Sequence, residues 1–198
     1  MNNNINKTLF ILDWDDTLFP TNWVLNNGIK LALTKSHDQY MMYFQELDRI
    51  LSKFLKRIIC LGKVIIVTNA MLEWVKISSI ILPNTTYLLK KVTIISAREK
   101  YRNKSNNIWD WKKMAFKDVI DIEFNKESII NVISVGDAEY EYQALIALNK
   151  KKGTKYLKSI KFVKEPSHDI LIDQLEVLNI AIPNIWNKQK HMDLKFKL

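Results

Sequence analysis

Residues 9–21 read Leu-Phe-Ile-Leu-Asp-Trp-Asp-Asp-Thr-Leu-Phe-Pro-Thr. The apolar run at the start of this stretch is typical of a buried strand, and it ends abruptly in the carboxylates of Asp13 and Asp15. A strand does not need acids at its carboxyl end, whereas open α/β sheets bind their ligands in the crevice beside those ends. Clustered carboxylates at this place suit a divalent cation, a nucleophile or an acid/base pair.

The rest of the chain alternates short apolar runs with longer helical patterns. The predicted strands are 9–12, 64–67, 92–96, 129–135 and a weaker 160–163. The predicted helices are about 39–61, 72–81, 109–122, 140–150 and 167–178. This alternation predicts an α/β fold with three layers and a mostly parallel, five-stranded sheet.

Two segments depart from this alternation. The sequence Asn26-Asn27-Gly28 is a strong hairpin signal, so a β-flap is predicted within residues 22–33, just after the first strand. Ser36 and Asp38 are both possible caps of the helix that follows it. The basic segment 187–198 is predicted to be a frayed tail. We therefore expect a single domain over residues 1–198, with its core at about 8–180.

Composition limits the possible partners only loosely. The chain has 198 residues, of which 47% are hydrophobic, and its net charge is +9, which favours anionic partners such as nucleic acid or phosphorylated substrates. The bias toward Lys, Asn and Ile favours the plainer interpretation of solvated surface lysines. With Cys60 as the single cysteine, expected to be a buried and inert thiol, and with no signal peptide or membrane-spanning run, we predict a reducing, cytoplasmic location.

Polar residues follow the later predicted strands as well. The second strand ends in Thr68-Asn69-Ala70, the third in Ser96-Ala97-Arg98 and the fourth in Gly136-Asp137, while Lys112 lies early in the helix after the third strand. Right-handed crossovers bring the carboxyl ends of all these strands to one edge of the sheet. Each motif alone is weak, but their order and placement predict one site.

This order of motifs resembles the haloacid dehalogenase (HAD) superfamily, whose first motif is Asp-x-Asp-x-Thr after a buried strand. The segment from Asp13 to Thr17 is also similar to the first motif of magnesium-dependent phosphatases. A closer resemblance is to uncharacterised HAD-like proteins of protists and plants, over roughly residues 9 to 180. It extends to Trp74-Val75 after the second strand and to Trp111-Lys112 after the third. The resemblance implies a Rossmann-like HAD fold and a phosphate monoester as substrate.

The resemblance implies roles for the acidic residues. Asp13 would be the nucleophile that forms an aspartyl-phosphate, and Asp15 would be the general acid and base. The Asp13 carboxylate, the Asp15 main-chain carbonyl and the Asp137 carboxylate would bind Mg²⁺, which prefers hard oxygen ligands. Glu141 would bind the metal through water or hold the site lysine, and Glu139 is a weaker rival for that role.

The resemblance also implies how the phosphate is held. The Thr68 hydroxyl and the Asn69 backbone N–H would bind the transferring phosphoryl group, and Lys112 rather than the adjacent Lys113 would neutralise its charge. Arg98 either contacts substrate or forms a surface salt bridge, and the two interpretations have equal weight. As an alternative to a catalytic site, Thr68 and Asn69 form an ordinary strand-to-helix cap.

Substrate size is predicted from the short intervals where HAD-like enzymes carry cap insertions. The interval from Ser96 to Lys112 looks like a loop, so we expect a minimal cap or none. A small phosphometabolite and a macromolecular phosphate are equally compatible with such an open site. Trp74, Trp109 and Trp111 are interpreted as core residues, and the three histidines share no spacing for zinc ligands.

Two function classes follow. The first is an Mg²⁺-dependent phosphatase, in which every expected catalytic position holds a competent residue. The second is a non-catalytic HAD-like binding module that engages nucleic acid through its lysines. The intact pair Asp13 and Asp15 favours the phosphatase, because binding alone does not require both acids, and no base-reading motif supports the second class. No membrane partner is expected.

Overall fold

The computed structural model describes residues 7–31, 38–123, 131–150 and 156–197. Its strands are β1 (Thr8–Leu12), β2 (Lys63–Thr68), β3 (Thr93–Ser96), β4 (Asn131–Gly136), β5 (Tyr156–Lys161) and β6 (Met192–Lys195). Its α-helices are α1 (Thr21–Asn26), α2 (Met41–Leu61), α3 (Leu72–Ile80), α4 (Pro83–Leu89), α5 (Ala97–Tyr101), α6 (Ile108–Glu123), α7 (Glu139–Ile146) and α8 (His168–Asn187). Short 3₁₀ turns at Asp38–Tyr40 and Ala147–Lys150 adjoin α2 and α7.

The six strands form one open sheet in the order β3-β2-β1-β4-β5-β6, and every pairing is parallel. β1 lies in the middle, with all five of its residues buried, which explains its unbroken apolar sequence. The chain winds outward from β1 to β3 on one side and from β4 to β6 on the other. This is the doubly wound, Rossmann-like arrangement, and its strand order reverses between β1 and β4.

Helices cover both faces of the sheet. One apolar cluster contains Phe10 and Ile133 from the sheet together with residues of α2 and α8. The other contains Leu9 and Val132, which point the opposite way, together with residues of α6 and α7. The three layers predicted from the sequence are therefore confirmed. Among the described helices, none combines the length and the apolar character needed to cross a membrane.

The prediction of five strands is wrong, because residues 192–195 form a sixth strand beside β5. The pairing runs from Lys158–Met192 to Lys161–Lys195, and the Phe196 N–H extends it by donating to the Lys161 carbonyl. Part of the segment that we expected to be a frayed tail is thus an edge strand. β5 itself begins four residues earlier than predicted, since Lys158 and Ser159 interrupt its apolar pattern although both are buried.

The predicted β-flap is also wrong over the described residues. Helix α1 occupies residues 21–26, and the Gly28 N–H donates to the Leu25 carbonyl in the turn that ends it. Gly28 has φ = +62°, so the Asn-Gly pair ends a helix here instead of joining two strands. Residues 32–37, which include the possible cap Ser36, lie outside the described part. Asp38 begins the 3₁₀ turn before α2.

Cys60 departs from expectation as well. It lies one residue before the end of α2, and its side chain is exposed, not buried. The apolar neighbours Ile59 and Leu61 are half-buried and pack against the core, so the helix turns Cys60 away from it. The hydrophobic context of the sequence did not reveal on which side of the helix the thiol lies.

Candidate active site

The candidate site lies where the strand order reverses, at the carboxyl ends of β1 and β4. The Asp13 N–H donates to the Val135 carbonyl at 2.9 Å, which continues the pairing of β1 with β4 beyond the last residue of β1. Asp13 is therefore fixed beside Asp137, which follows β4 directly. This is the position at which doubly wound sheets bind their ligands.

Three carboxylates converge at this point. Asp13, Asp137 and Glu141 each place one oxygen within 4.8 Å of the others, and all three side chains are at least nine-tenths buried. Asp13 and Asp137 come from adjacent strands, and Glu141 comes from the first turn of α7. The sheet therefore brings together acids that are more than 120 positions apart in the chain.

Lys112 joins two of these acids. Its side chain is fully buried, and its Nζ lies 2.6 Å from Asp13 Oδ1 and 2.8 Å from Glu141 Oε1. The same Nζ donates to the Val67 carbonyl at 2.6 Å and lies 5.4 Å from the centre of the Tyr140 ring. The lysine reaches the site from the second turn of α6 and contacts residues of three other elements, at the end of β1, in β2 and in α7.

Burial sets the ionisation of these groups. It raises the pKa of Asp137 to about 7 and that of Glu141 to about 8, in the latter case against the opposing charge of Lys112. Burial also raises the pKa of Asp13, which Lys112 only partly offsets. Burial would lower the pKa of Lys112, but Asp13 and Glu141 outweigh it and raise that pKa above its ordinary value. One cation thus faces three acids that repel one another.

This arrangement fits a divalent cation. When all three carboxylates are ionised, one buried ammonium leaves two uncompensated negative charges, and uncompensated buried charge is costly. A metal ion with charge +2 that prefers oxygen ligands would remove both the excess charge and the repulsion. Glu141 already accepts a hydrogen bond from the Ala138 N–H at 3.1 Å and pairs with Lys112. Both carboxylate oxygens of Glu141 are thus engaged, whereas Lys112 contacts only Oδ1 of Asp13, so Asp13 and Asp137 are the carboxylates best placed to bind the ion.

Asp15 lies beside this cluster and is oriented by three donors. Its Oδ1 accepts hydrogen bonds from the Thr21 hydroxyl at 2.6 Å and from the Trp74 indole N–H at 2.8 Å. Its Oδ2 accepts one from the Thr68 hydroxyl at 3.1 Å, and that hydroxyl in turn accepts the Ala70 N–H. The side chain is half-buried, so Asp15 is held in place while remaining accessible to solvent.

The tight turn after β1 contains Asp15 and Asp16. The N–H groups of Leu18 and Phe19 both donate to the Trp14 carbonyl, and Asp16 has φ = +54°, a conformation that Asp tolerates better than most residues. The Asp16 carboxylate accepts both the backbone and side-chain N–H groups of Asn22. Asp16 therefore connects the turn to α1 and is a structural residue.

Gly136 is needed because Glu141 packs against it. A Cβ atom at position 136 would lie 2.4 Å from the Glu141 Cγ and 2.8 Å from its Cδ. Only glycine leaves room at the end of β4 for the Glu141 side chain to turn back toward Lys112. The close packing of Glu141 thus explains why glycine precedes Asp137 in the sequence.

The remaining predicted site residues are less closely connected. Thr68 bonds to Asp15, and Asn69 is half-buried with its side-chain oxygen unpartnered among the described residues. Arg98 is exposed and forms no salt bridge within the described part of the chain. Lys113 is half-buried and lies outside these contacts, while Glu139 pairs with Lys161 at 2.7 Å instead of joining the cluster.

Sequence reasoning missed three residues of the site. Thr21 was given no role, Trp74 was interpreted as core and Tyr140 as a packing or surface residue, yet the first two bind Asp15 and the third covers Lys112. Trp109 also differs from its interpretation as core, since 38% of it is exposed. Only Trp74 carried a signal, because the resemblance noted in the sequence extends to Trp74-Val75. A search of known protein families, of curated proteins and of solved structures finds no match to this chain.

Proposed function

We propose that this chain is an Mg²⁺-dependent phosphatase of the HAD type that hydrolyses a phosphate monoester through an aspartyl-phosphate on Asp13. The observation that carries the proposal is the buried cluster of Asp13, Asp137 and Glu141 around Lys112, with Asp15 two positions after the nucleophile. The cluster supplies a cation site, and Asp15 supplies a separately held acid. A binding module has no need of both.

In the first proposed step, Asp13 attacks the phosphorus of the monoester. The bond between phosphorus and the leaving oxygen breaks, and Asp15 donates a proton to that oxygen. Lys112, already 2.6 Å from Asp13 Oδ1, limits the charge that builds up as the anionic phosphate approaches a carboxylate. The charge-assisted contact also fixes the orientation of the Asp13 carboxylate, which lowers the entropic cost of the attack.

In the second proposed step, water attacks the phosphorus of the aspartyl-phosphate. Asp15 now accepts the proton from this water, the bond from phosphorus to Asp13 breaks, and inorganic phosphate leaves with both residues restored. Mg²⁺, bound by the Asp13 and Asp137 carboxylates and the Asp15 main-chain carbonyl, would supply charge neutralisation at the phosphoryl oxygens. Trp74 and Thr21 hold Asp15 for both proton transfers.

The proposed phosphate pocket uses the ends of β2 and β3. The Thr68 hydroxyl and the Asn69 N–H are the proposed ligands of the phosphoryl group, and exposed Arg98 is a proposed contact for the rest of the substrate. Between β3 and Lys112 the chain forms only the short helix α5 and a turn before α6, which supports a site with a minimal cap. Glu141 is proposed to act through Lys112 and water, not as a direct metal ligand.

The test is hydrolysis of p-nitrophenyl phosphate by the purified protein, with Mg²⁺ and with EDTA. Asp13→Asn and Asp15→Asn keep the size of each side chain and remove its charge, and Asp173→Asn on the exposed side of α8 is the matched control. We expect Mg²⁺-dependent release in the wild type and in the control, and none in the two site variants. Near-wild-type release by Asp13→Asn would overturn the mechanism.

If p-nitrophenyl phosphate is not hydrolysed, the same four proteins are assayed against a panel of sugar phosphates, nucleotides and phosphopeptides. Release of inorganic phosphate from any of these, dependent on Mg²⁺ and on Asp13, supports the proposal. A folded wild-type protein that binds Mg²⁺ and yet hydrolyses none of them would contradict it.

A further inference from the structure

Beside the acidic cluster lies a second feature that the proposed chemistry does not use. A cavity of about 720 Å³ begins at Asp137 and extends past the carboxyl ends of β4, β5 and β6. Cavities of this size accommodate small organic ligands, and they are generally lined by apolar and aromatic groups with a few polar ones. Asp137 is common to the cavity and to the acidic cluster, so a ligand in the cavity would adjoin the proposed phosphate.

The walls of this cavity are aromatic. Trp109 and Tyr140 meet edge to face, with ring centres 6.0 Å apart, and Phe162 and Phe196 form a second such pair at 5.1 Å. Phe162 is almost fully buried and forms the floor, whereas the other three rings retain exposed surface. Exposed ring faces bind planar groups by stacking, and they do so for any nucleobase.

The rim of the cavity is cationic. Four lysines line it, against only two carboxylates, those of Asp137 and Glu139. The lysines are Lys161, Lys164, Lys195 and Lys197. Lys161 pairs with the rim carboxylate of Glu139 at 2.7 Å. Lys164 and Lys195 form ion pairs with neighbouring acids at 3.2 Å and 3.5 Å, but these side chains are largely exposed and such pairs are weak. The rim therefore complements an anionic ligand.

The position of the cavity selects among aromatic phosphate esters. Asp15, the proposed proton donor to the leaving oxygen, contacts Thr68 at the end of β2, whereas the cavity begins on the β4 side of Asp13. A ring bonded directly to the leaving oxygen, as in phosphotyrosine, would lie near Asp15. A ring in the cavity requires a spacer that crosses the site, and the ribose of a nucleotide is such a spacer.

We propose that the substrate is a mononucleotide, whose base occupies the cavity between Trp109, Tyr140 and Phe196 while its phosphate lies at Asp13. The inference rests on the proposed function for the position of the phosphate. The four lysines of the rim face the ribose and any second phosphate that is bonded to the ribose. The cavity thus gives specificity for the leaving group, and the acidic cluster performs the chemistry.

The experiment separates binding from turnover by using the Asp15→Asn protein with Mg²⁺, which keeps all three carboxylates of the cluster. Isothermal titration compares adenosine 5′-monophosphate with ribose 5-phosphate, since the two ligands differ only in the base. We expect the nucleotide to bind at least about tenfold more tightly, as stacking on exposed aromatic rings implies. Equal affinities would overturn the inference and leave the phosphatase proposal intact.

Variants test whether the cavity is the place of binding. In the same background, Trp109→Ala and Phe196→Ala are expected to weaken nucleotide binding about tenfold without changing the affinity for ribose 5-phosphate. Tyr87→Ala removes a more exposed aromatic ring that does not line the cavity, and it should change neither affinity. If all three variants bind the nucleotide like their parent, the base lies elsewhere and the inference is wrong.

Two further arms complete the test. The first arm measures the binding of a single-stranded oligonucleotide that carries a 5′-phosphate. If it binds more tightly than the mononucleotide and its affinity falls steeply with salt, the substrate is a nucleic-acid end and the mononucleotide proposal is wrong. Wild-type protein that binds the nucleotide as expected but releases no phosphate from any ester would retain the cavity assignment and refute the proposed function. The two proposals therefore fail by different outcomes.

Discussion

The Nζ of Lys112 lies 2.6 Å from Oδ1 of Asp13, although 99 positions separate the two residues in the chain. The ammonium also lies 2.8 Å from Glu141 Oε1, and no part of its side chain reaches solvent. This lysine is therefore a buried cation that pairs directly with two of the three clustered acids.

Replacing this lysine should be costly to the fold. We expect Lys112→Met to lower the free energy of unfolding by about 3–5 kcal/mol in metal-free buffer, because it leaves Asp13 and Glu141 buried without a partner. Urea denaturation measures this, and Lys113→Met on the same helix is the control. Adding Glu141→Gln to Lys112→Met should restore part of the lost stability. If Lys112→Met and Lys113→Met lost equal stability, the prediction would be contradicted.

Magnesium should stabilise the protein through the acidic cluster. A ligand that binds only the folded state raises its stability, and an excess of a hundredfold over Kd gives about 2.7 kcal/mol. We expect thermal unfolding to shift upward with millimolar Mg²⁺, and the shift to vanish in Asp137→Asn. The control is Asp173→Asn, whose exposed acid lies on α8. An unchanged shift in Asp137→Asn would place the ion elsewhere.

Trp74 should act on turnover through Asp15. Trp74→Phe keeps the ring but removes the N–H that donates to Asp15 Oδ1 at 2.8 Å, a hydrogen bond to a charged group worth about 1.5–3 kcal/mol. We expect kcat to fall about tenfold or more, since Asp15 loses the donor that orients it for the proposed proton transfers.

The matched control for Trp74 is Trp186→Phe. The indole N–H of Trp186 donates to the Thr8 hydroxyl at 2.9 Å, and Trp186→Phe removes this bond. The contact lies at the opposite edge of the sheet from the candidate site. Trp186→Phe should lose stability without a change in kcat. A purely structural role for Trp74 would make the two variants alike in rate.

Gly136 should tolerate no side chain while Glu141 is present. We expect Gly136→Ala to destabilise the protein by about 1–3 kcal/mol, because its Cβ would lie 2.4 Å from the Glu141 Cγ. A double-mutant cycle with Glu141→Ala measures the coupling, and most of the cost should disappear in the truncated background. Additive costs in the cycle would mean that the glycine serves another purpose.

Lys158 should make stability depend on pH. It is fully buried in β5, its Nζ donates to the Ile185 and Trp186 carbonyls at the end of α8, and burial lowers its pKa to about 8. Below pH 8 the folded protein must hold an unfavourable charge. As pH rises from 8 toward 10.5 the unfolded state keeps its proton while the folded state loses one, so stability rises.

The measurement is the difference in unfolding free energy between the wild type and Lys158→Met at pH 7.5 and at pH 10. Other groups titrate alike in both proteins, so the difference isolates Lys158. We expect it to move by about 2–3 kcal/mol in favour of the wild type at the higher pH. A difference that does not depend on pH would contradict the assignment.

Local patterns predicted the centre of the fold well. β1, β2 and the core of β4 are buried on both faces, so their sequences are continuous apolar runs that can be recognised without a partner. The edges were missed for the opposite reason. β6 is half-exposed, with Asp193 and Lys195 alternating with apolar residues, and only its pairing with β5 makes it a strand.

The turn after β1 shows how context decides between equal local signals. Asn26-Asn27-Gly28 suits a hairpin and suits the end of a helix, because both use glycine at positive φ. Thr21 and Asn22, which bond to Asp15 and Asp16, begin a helix there, and the glycine then ends it. The hydrogen bonds that decide the outcome join the first turn of α1 to the preceding acidic loop.

The sequence alone determined the kind of sheet and the place of the acids, since burial and chain direction force strand-end residues such as Asp13 and Asp137 to one edge. Tertiary structure decided which residues act together. The contacts of Lys112 with Asp13 and Glu141, of Trp74 with Asp15, and of the rings around the cavity join different elements. The physical reason is that strand-end placement depends on local pattern, whereas these contacts depend on how helices pack across the sheet.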